Sequence, residues 1–223
     1  MCGIAGWFDK TNNLNKHQHI IDNMSLSLAN RGPDEDGIFM RKNLCLIHRR
    51  LSIIDIESGK QPMTKAYKGK ICTIVYNGEI YNSPEIMSEL RSKGFSFFGH
   101  SDTEVVLTAY LCWGTKCVER LNGIFAFAIW DDDEQRLFLA RDRIGVKPLF
   151  YYEYKNGLLF ASEIKTLLKN PIVEPKIDEQ GLYEVFLLGP ARTSGFGVIK
   201  DIKELLPGEC ATYNGKEIRK KKY

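Results

Sequence analysis

The 223-residue sequence predicts an α+β domain in which two mainly antiparallel sheets are layered with helices outside them. Three observations carry this. Strand-like segments outnumber helical ones, most consecutive strands are joined by hairpin-length turns, and no repeat or low-complexity linker divides the chain. At this length one hydrophobic core is feasible.

The first residues, Cys2 to Phe8, are small and apolar before the chain turns polar at Asp9, which reads as a buried strand starting almost at the N-terminus. From Leu14 to Leu28 the positions Ile20, Ile21, Met24 and Leu28 share a helical face, and Arg31-Gly32-Pro33-Asp34 stops that helix. Leu44 to His48 and the β-branched stretch Ile71 to Tyr76 read as strands. A helix over Pro84 to Lys93 has Ser83 as its N-cap and Gly94 just past its end. The next opens on Ser101-Asp102-Thr103-Glu104, a capping-box pattern, and runs to Trp113. Ile124 to Trp130, Arg136 to Ala140, Leu149 to Tyr154 and Leu158 to Ala161 form a run of strands, with tight turns at Asp131-Asp132-Asp133 and Asn156-Gly157. A helix near Gly181 to Leu188 and a hairpin around Asn214-Gly215 complete the chain.

Charge is nearly balanced, 31 Lys and Arg against 28 Asp and Glu, which argues against a dedicated nucleic-acid surface. The basic run Arg219-Lys220-Lys221-Lys222 is read as a solvated strand end. No apolar run is long enough to span a bilayer and no signal-peptide pattern opens the chain, so a cytoplasmic location without membrane contact is expected. Six cysteines without a CxxC pair read as separate thiols of a reducing compartment, and the four histidines lack metal-site spacing.

Cys2 is the first candidate for chemistry. Removal of an initiator Met is favoured before a small side chain, and would leave a thiol and a free α-amine on one residue. An α-amine exchanges its proton near neutral pH, so such a residue holds a nucleophile and its base together. Asn77-Gly78 is a second candidate, although the same dipeptide recurs at 122–123, 156–157 and 214–215, where a turn accounts for it.

Cys2-Gly3-Ile4-Ala5-Gly6, Arg31-Gly32-Pro33-Asp34, His48-Arg49-Arg50-Leu51-Ser52-Ile53-Ile54-Asp55 and Gln61-Pro62-Met63 occur in that order. Tyr76-Asn77-Gly78-Glu79-Ile80-Tyr81-Asn82, Ser101-Asp102-Thr103-Glu104, Leu121-Asn122-Gly123-Ile124-Phe125 and Ala140-Arg141-Asp142-Arg143 follow them. The ordered set resembles the glutaminase domain of glutamine-hydrolysing asparagine synthetases, a class II amidotransferase with an N-terminal nucleophile. The resemblance implies a four-layer αββα sandwich over residues 2–210, with residues 211–223 as a closing strand and the start of a linker to a synthetase domain.

For the site, the resemblance implies that Cys2 attacks the side-chain amide of L-glutamine, while the Asn77 side chain and the Gly78 backbone N–H form the oxyanion hole. Arg50 would hold the substrate α-carboxylate, with backbone groups of Leu51, Ser52, Ile53 and Ile54 along the same pocket. Asp102, helped by Glu79, would accept the α-ammonium; by its position alone Asp102 reads as a helix-capping residue. Arg31 and Asp34 would tie the neighbouring loop, and Arg49 is read as a solvated or salt-bridged neighbour. The implied partners are L-glutamine, a synthetase domain or subunit that receives the ammonia, and a second copy in a homodimer. No cofactor is implied for this chain. ATP and Mg belong to the synthetase domain, whose Ser-Gly-Gly-x-Asp-Ser phosphate loop does not occur here, nor does GxxxxGK[ST]. A non-catalytic relative of the same fold would have lost Cys2, Asn77, Arg50 or Asp102, and all four are present.

Overall fold

In the computed structural model, which describes residues 1–51, 59–189 and 193–223, the strands are β1 (Gly3–Asp9), β2 (Glu35–Met40), β3 (Leu44–Arg50), β4 (Met63–Tyr67), β5 (Lys70–Ile80), β6 (Gly123–Asp131), β7 (Arg136–Arg141), β8 (Phe150–Tyr154), β9 (Gly157–Ala161), β10 (Ile202–Glu204), β11 (Glu209–Tyr213) and β12 (Ile218–Lys222). The α-helices are α1 (Gln18–Ser27), α2 (Ser83–Ser92), α3 (Asp102–Trp113), α4 (Ile164–Leu167) and α5 (Glu179–Tyr183). One sheet runs β10-β8-β9-β1-β3-β2 and the other β12-β11-β7-β6-β5-β4. Every strand pair among the described residues is antiparallel. The expected layered α+β sandwich is what the chain forms.

Strand alternation builds the layers. Along β6, Phe125, Phe127 and Ile129 pack with Ile86 and Leu90 of α2 and Val106 and Tyr110 of α3 on one outer face. The intervening Ala126, Ala128 and Trp130 face the other sheet, meeting Ile4 and Phe8 of β1, Leu46 of β3 and Phe160 of β9. Ala5 and Trp7 of β1 point the opposite way, onto Ile21, Met24 and Leu28 at the α1 side. β1 and β6 are thus interior strands whose side chains are covered on both faces. Each large apolar side chain so buried contributes on the order of 1.5–3 kcal/mol.

Several elements depart from the sequence expectation. The helix expected over Leu14 to Leu28 is a single 3-10 turn, Leu14–Lys16, followed by α1, because Asn13 caps the first turn through the Asn15 amide and His17 leaves helical geometry. The N-cap of α2 is Asn82 rather than Ser83, and the Asn82 side chain is committed elsewhere, to Asn122 N–H at 2.9 Å and Arg120 C=O at 3.0 Å. The helix expected near Gly181 to Leu188 is α5 followed by one π-type turn over Glu184–Leu188. Strands β2, β4 and β10 were not anticipated: β10 is three residues long, and β4 buries Lys65, a residue type that ordinarily marks the surface.

Lys65 is buried because its ammonium meets Glu104 at 2.7 Å, Thr108 Oγ1 at 2.9 Å and the Ser96 carbonyl at 2.6 Å. Glu104 therefore does not close the capping box expected at 101–104. Ser101 Oγ accepts the Glu104 amide, but the Glu104 carboxylate turns inward to Lys65 and to the amides of Phe98 and Gly99. The basic run 219–222 lies in β12 at the edge of its sheet, its side chains exposed, and residues 211–223 supply most of β11 and all of β12.

Candidate active site

Cys2 stands immediately before β1, at the end of an interior strand. Arg31 fixes it by donating Nε–H to the Cys2 carbonyl at 3.1 Å while its Nη1 pairs with Glu163 at 3.4 Å. The Cys2 thiol points to the Leu51 carbonyl, 3.9 Å away. The Arg31–Asp34 turn lies flat on the end of β3. A Cβ at Gly32 would stand 2.2 Å from the Arg49 carbonyl carbon, and the Asp34 amide bonds the Arg50 carbonyl at 3.0 Å. Arg31 and Asp34 therefore do tie this loop to the surroundings of Cys2.

Across the sandwich, β5 carries Asn77 and Gly78. The expectation that this pair follows the strand needs correcting: both lie inside β5, opposite Ala126 and Phe125 of β6. An Asn-Gly pair turns a chain only where the ladder ends, and here the β6 partner continues to Gly123. Gly78 is required by closeness, because a Cβ there would sit 2.4 Å from the Ile124 carbonyl oxygen and 2.7 Å from Phe125 Cα.

The free donors of β5 point away from β6. The amide and carbonyl of Phe125 both engage Asp142, so the Gly78–Phe125 pair is one of the non-hydrogen-bonded positions of the ladder. The amides of Tyr76 and Ile80, two residues either side of Gly78, donate to the side chains of Gln61 and Asp102. By the period of two, the Gly78 N–H lies on that same open edge between them. Asn77 is 2% exposed, and its Nδ2 has no hydrogen-bond partner among the described residues. A buried amide donor left unpaired costs about 1–3 kcal/mol, which makes Asn77 Nδ2 a candidate donor to a ligand oxygen.

Two contacts bring this edge to Cys2. Ile4 pairs with His48, and His48 Nε2 lies 3.2 Å from the Tyr76 carbonyl, joining the two sheets one residue before Asn77. Burial, then the Arg50 charge, pull the His48 pKa down to about 4 against the Tyr76 hydrogen bond, so the imidazole is neutral at neutral pH. Cys2 is near enough to Tyr76 for its charge to help raise the Tyr76 hydroxyl's pKa, behind the larger effects of burial and Asp102.

Asp102 opens α3 as its first residue, while Ser101 is the cap. The Asp102 carboxylate faces β5 instead: Oδ2 accepts the Tyr76 hydroxyl at 2.6 Å and the Ile80 amide at 3.1 Å. Burial raises its pKa, and Glu79 adds to that, while the bonds from Tyr76 and Ile80 act in the opposite direction. Glu79 itself is exposed. Arg50, 5% exposed, ends β3 with Nη1 2.9 Å from Glu35. Arg49 is salt-bridged, to Asp36 at 3.8 Å, and bonds Ser25 Oγ at 3.0 Å. Ser52, Ile53 and Ile54 lie outside the described residues.

Cys2, Leu51, Asn77, Gly78, Glu79 and Asp102 thus belong to one neighbourhood, at the end of β1 and along the open edge of β5. Sequence reasoning gave no role to Tyr76, Gln61 or His48. Gln61 was visible only as one letter of the Gln61-Pro62-Met63 motif, and nothing in one sequence says that its side chain would finish a ladder.

Two antiparallel sheets stacked between helices, with a cysteine at the second position leading into an interior strand, define the N-terminal-nucleophile hydrolase architecture. The chain belongs to the glutamine amidotransferase domain family, which it matches over residues 1–223. It is 46% identical over 214 residues to Bacillus subtilis (strain 168) asparagine synthetase [glutamine-hydrolyzing] 3, covering 96% of this chain and 35% of the relative. Escherichia coli (strain K12) asparagine synthetase B [glutamine-hydrolyzing] is 36% identical over 170 residues, covering 75% of this chain and 30% of that protein. The chain therefore spans about a third of the length of these curated relatives. Among solved structures, glutamine phosphoribosylpyrophosphate amidotransferase from B. subtilis superposes with a TM-score of 0.68 at 16% identity, over 99% of this chain and 49% of that one. That last likeness is one of fold.

Proposed function

We propose that this chain hydrolyses L-glutamine to glutamate and ammonia, with Cys2, freed of Met1, as nucleophile. The observation that carries the reading is that adjacent residues of β5 offer two donors, buried Asn77 Nδ2, without a partner among the described residues, and the open-edge Gly78 N–H. The thiol sulfur bonds to the amide carbon of glutamine, and the carbonyl oxygen becomes an oxyanion held by those donors. Preorganised donors of this kind contribute roughly 3–4 kcal/mol to the transition state. The α-amine of Cys2 takes the thiol proton and passes it to the leaving nitrogen, which departs as ammonia. Water then adds to the γ-glutamyl thioester through the same amine, releasing glutamate and restoring the thiol.

Arg50 and Asp102 are the partners we assign to the substrate's α-carboxylate and α-ammonium, with Glu79 beside Asp102 and Leu51 at the thiol. A guanidinium has five donors in a rigid fork, and Glu35 holds the plane of Arg50 through Nη1. Arg50→Lys is expected to raise KM for glutamine on the order of tenfold or more, with a smaller change in kcat, because an ammonium cannot reproduce the bidentate grip. Steady-state ammonia release against glutamine concentration measures this, and an unchanged KM would remove Arg50 from the carboxylate site.

The ammonia is destined, in this reading, for a synthetase domain or subunit that makes asparagine, as the names of the relatives suggest, from aspartate with ATP and Mg, as the sequence resemblance implies. Among the described residues no group of three or more His, Cys, Asp or Glu side chains converges as a metal site requires. No step above passes through a metal or nucleotide. The chain alone is therefore expected to release ammonia from glutamine at the same rate with EDTA and without ATP, and to form no asparagine when given aspartate, ATP and Mg. Loss of hydrolysis on chelation, or asparagine from the isolated chain, would contradict this.

A further inference from the structure

The strand that carries Asn77 and Gly78 loses its outer neighbour part-way. β4 pairs with β5 from Tyr67–Lys70 to Met63–Ile74, and the next residue back, Pro62, has no N–H to give. In the register of that ladder Gln61 falls opposite Tyr76, and its side chain takes over from the backbone. Gln61 Oε1 accepts the Tyr76 amide at 2.7 Å, and Nε2 donates to the Tyr76 carbonyl at 3.2 Å. The same Nε2 lies 3.2 Å from Thr103 Oγ1, in the first turn of α3. His48 reaches the Tyr76 carbonyl from the other sheet. The Tyr76 peptide is held more closely than a strand edge requires, and its hydroxyl carries that position to Asp102.

We propose that Tyr76, clamped by Gln61, is a positioning residue that fixes the spacing between Asp102 and the Asn77–Gly78 donors and thereby selects glutamine over the one-carbon-shorter asparagine. The inference rests on the reaction assigned above. Asp102 Oδ2 is bonded to Tyr76 and Ile80, so the group that accepts the α-ammonium is referenced to the same strand, on both sides of Gly78. A substrate shorter by one bond, about 1.5 Å, cannot fill both ends at once. A misplacement on the order of 1 Å at the reacting carbon costs on the order of 100-fold in rate. The gauge works only while the Asp102 carboxylate cannot follow the shorter substrate, and that is what the Tyr76 hydroxyl prevents.

Tyr76→Phe removes the hydroxyl and keeps the ring that packs under α3. It is expected to lower kcat/KM for glutamine about tenfold, mainly through KM, the size of one hydrogen bond to a charged group. The ratio of kcat/KM for glutamine to that for asparagine should narrow by a similar factor. Asp102 also supplies a readout independent of turnover. Among the described residues the titratable groups acting on it are Tyr76 and Glu79 of β5, and the phenol hydrogen bond favours the carboxylate. In ¹³C-aspartate NMR the Asp102 carboxyl of Tyr76→Phe should titrate at higher pH than in the parent chain. An upward shift with a narrowed ratio supports the proposal. An unchanged Asp102 titration overturns the clamp, and a shift with an unchanged ratio overturns its role in selectivity. If the parent chain released no ammonia from glutamine, the assigned reaction would fail, while the NMR comparison would still decide the clamp.

Discussion

Cys2→Ala is expected to lower glutamine hydrolysis by at least about 10⁴-fold while leaving the fold and its melting temperature nearly unchanged. The loss is large because no other thiol can substitute. Burial pushes the Cys45 and Cys72 thiols up to about 12, and it also raises those of Cys112, Cys117 and Cys210. A thiol held that high is almost wholly protonated near neutral pH and is a poor nucleophile. None of the five carries an α-amine of its own, which only the first residue of a chain has. The structural cost is small because Cys2 is only half-buried, outside β1, and among the described residues its thiol's hydrogen-bond contact is a long one, to the Leu51 carbonyl at 3.9 Å. Ammonia release, with circular dichroism on the same sample, measures both halves. Substantial activity in a folded Cys2→Ala chain would remove the nucleophile assignment.

Much of this arrangement could be read from the sequence, for identifiable reasons. The alternation of Phe125, Phe127 and Ile129 with Ala126, Ala128 and Trp130 is a period-two signal that declares a strand covered on both faces. The flanking tight turns declare its hairpin partners, so the sandwich was legible. Cys2, Arg50, Asn77, Gly78 and Asp102 were legible as residue types in a recognised order. What stayed hidden depends on contacts between distant segments. Lys65 hides β4, because only the approach of Glu104 across 39 positions makes a buried lysine tolerable. Asn77-Gly78 carries turn chemistry, and only the uninterrupted pairing with β6 shows that the chain runs straight through it. Tyr76, Gln61 and His48 are unremarkable as letters. Their meaning comes from the register that sets Gln61 against Tyr76 and from the stacking that brings His48 to the same carbonyl.

The amine of Cys2 carries the second large effect, and it is the centre of the account. While Met1 is attached, that nitrogen belongs to a peptide bond and cannot accept a proton near neutral pH. The Met1 side chain itself rests against Lys147, whose Nζ lies 3.4 Å from the Met1 sulfur. It is 58% exposed, within reach of a methionine aminopeptidase. The retained form is expected to be folded and to hydrolyse glutamine slower by at least about 10³-fold, since the base needed for attack is missing. Intact-mass spectrometry identifies the N-terminus of a preparation, and ammonia release before and after aminopeptidase treatment of that preparation reads the consequence. Activity that rises in proportion to the fraction of chains beginning at Cys2 is the result expected here, whereas full activity in chains shown by mass to begin at Met1 would contradict the mechanism.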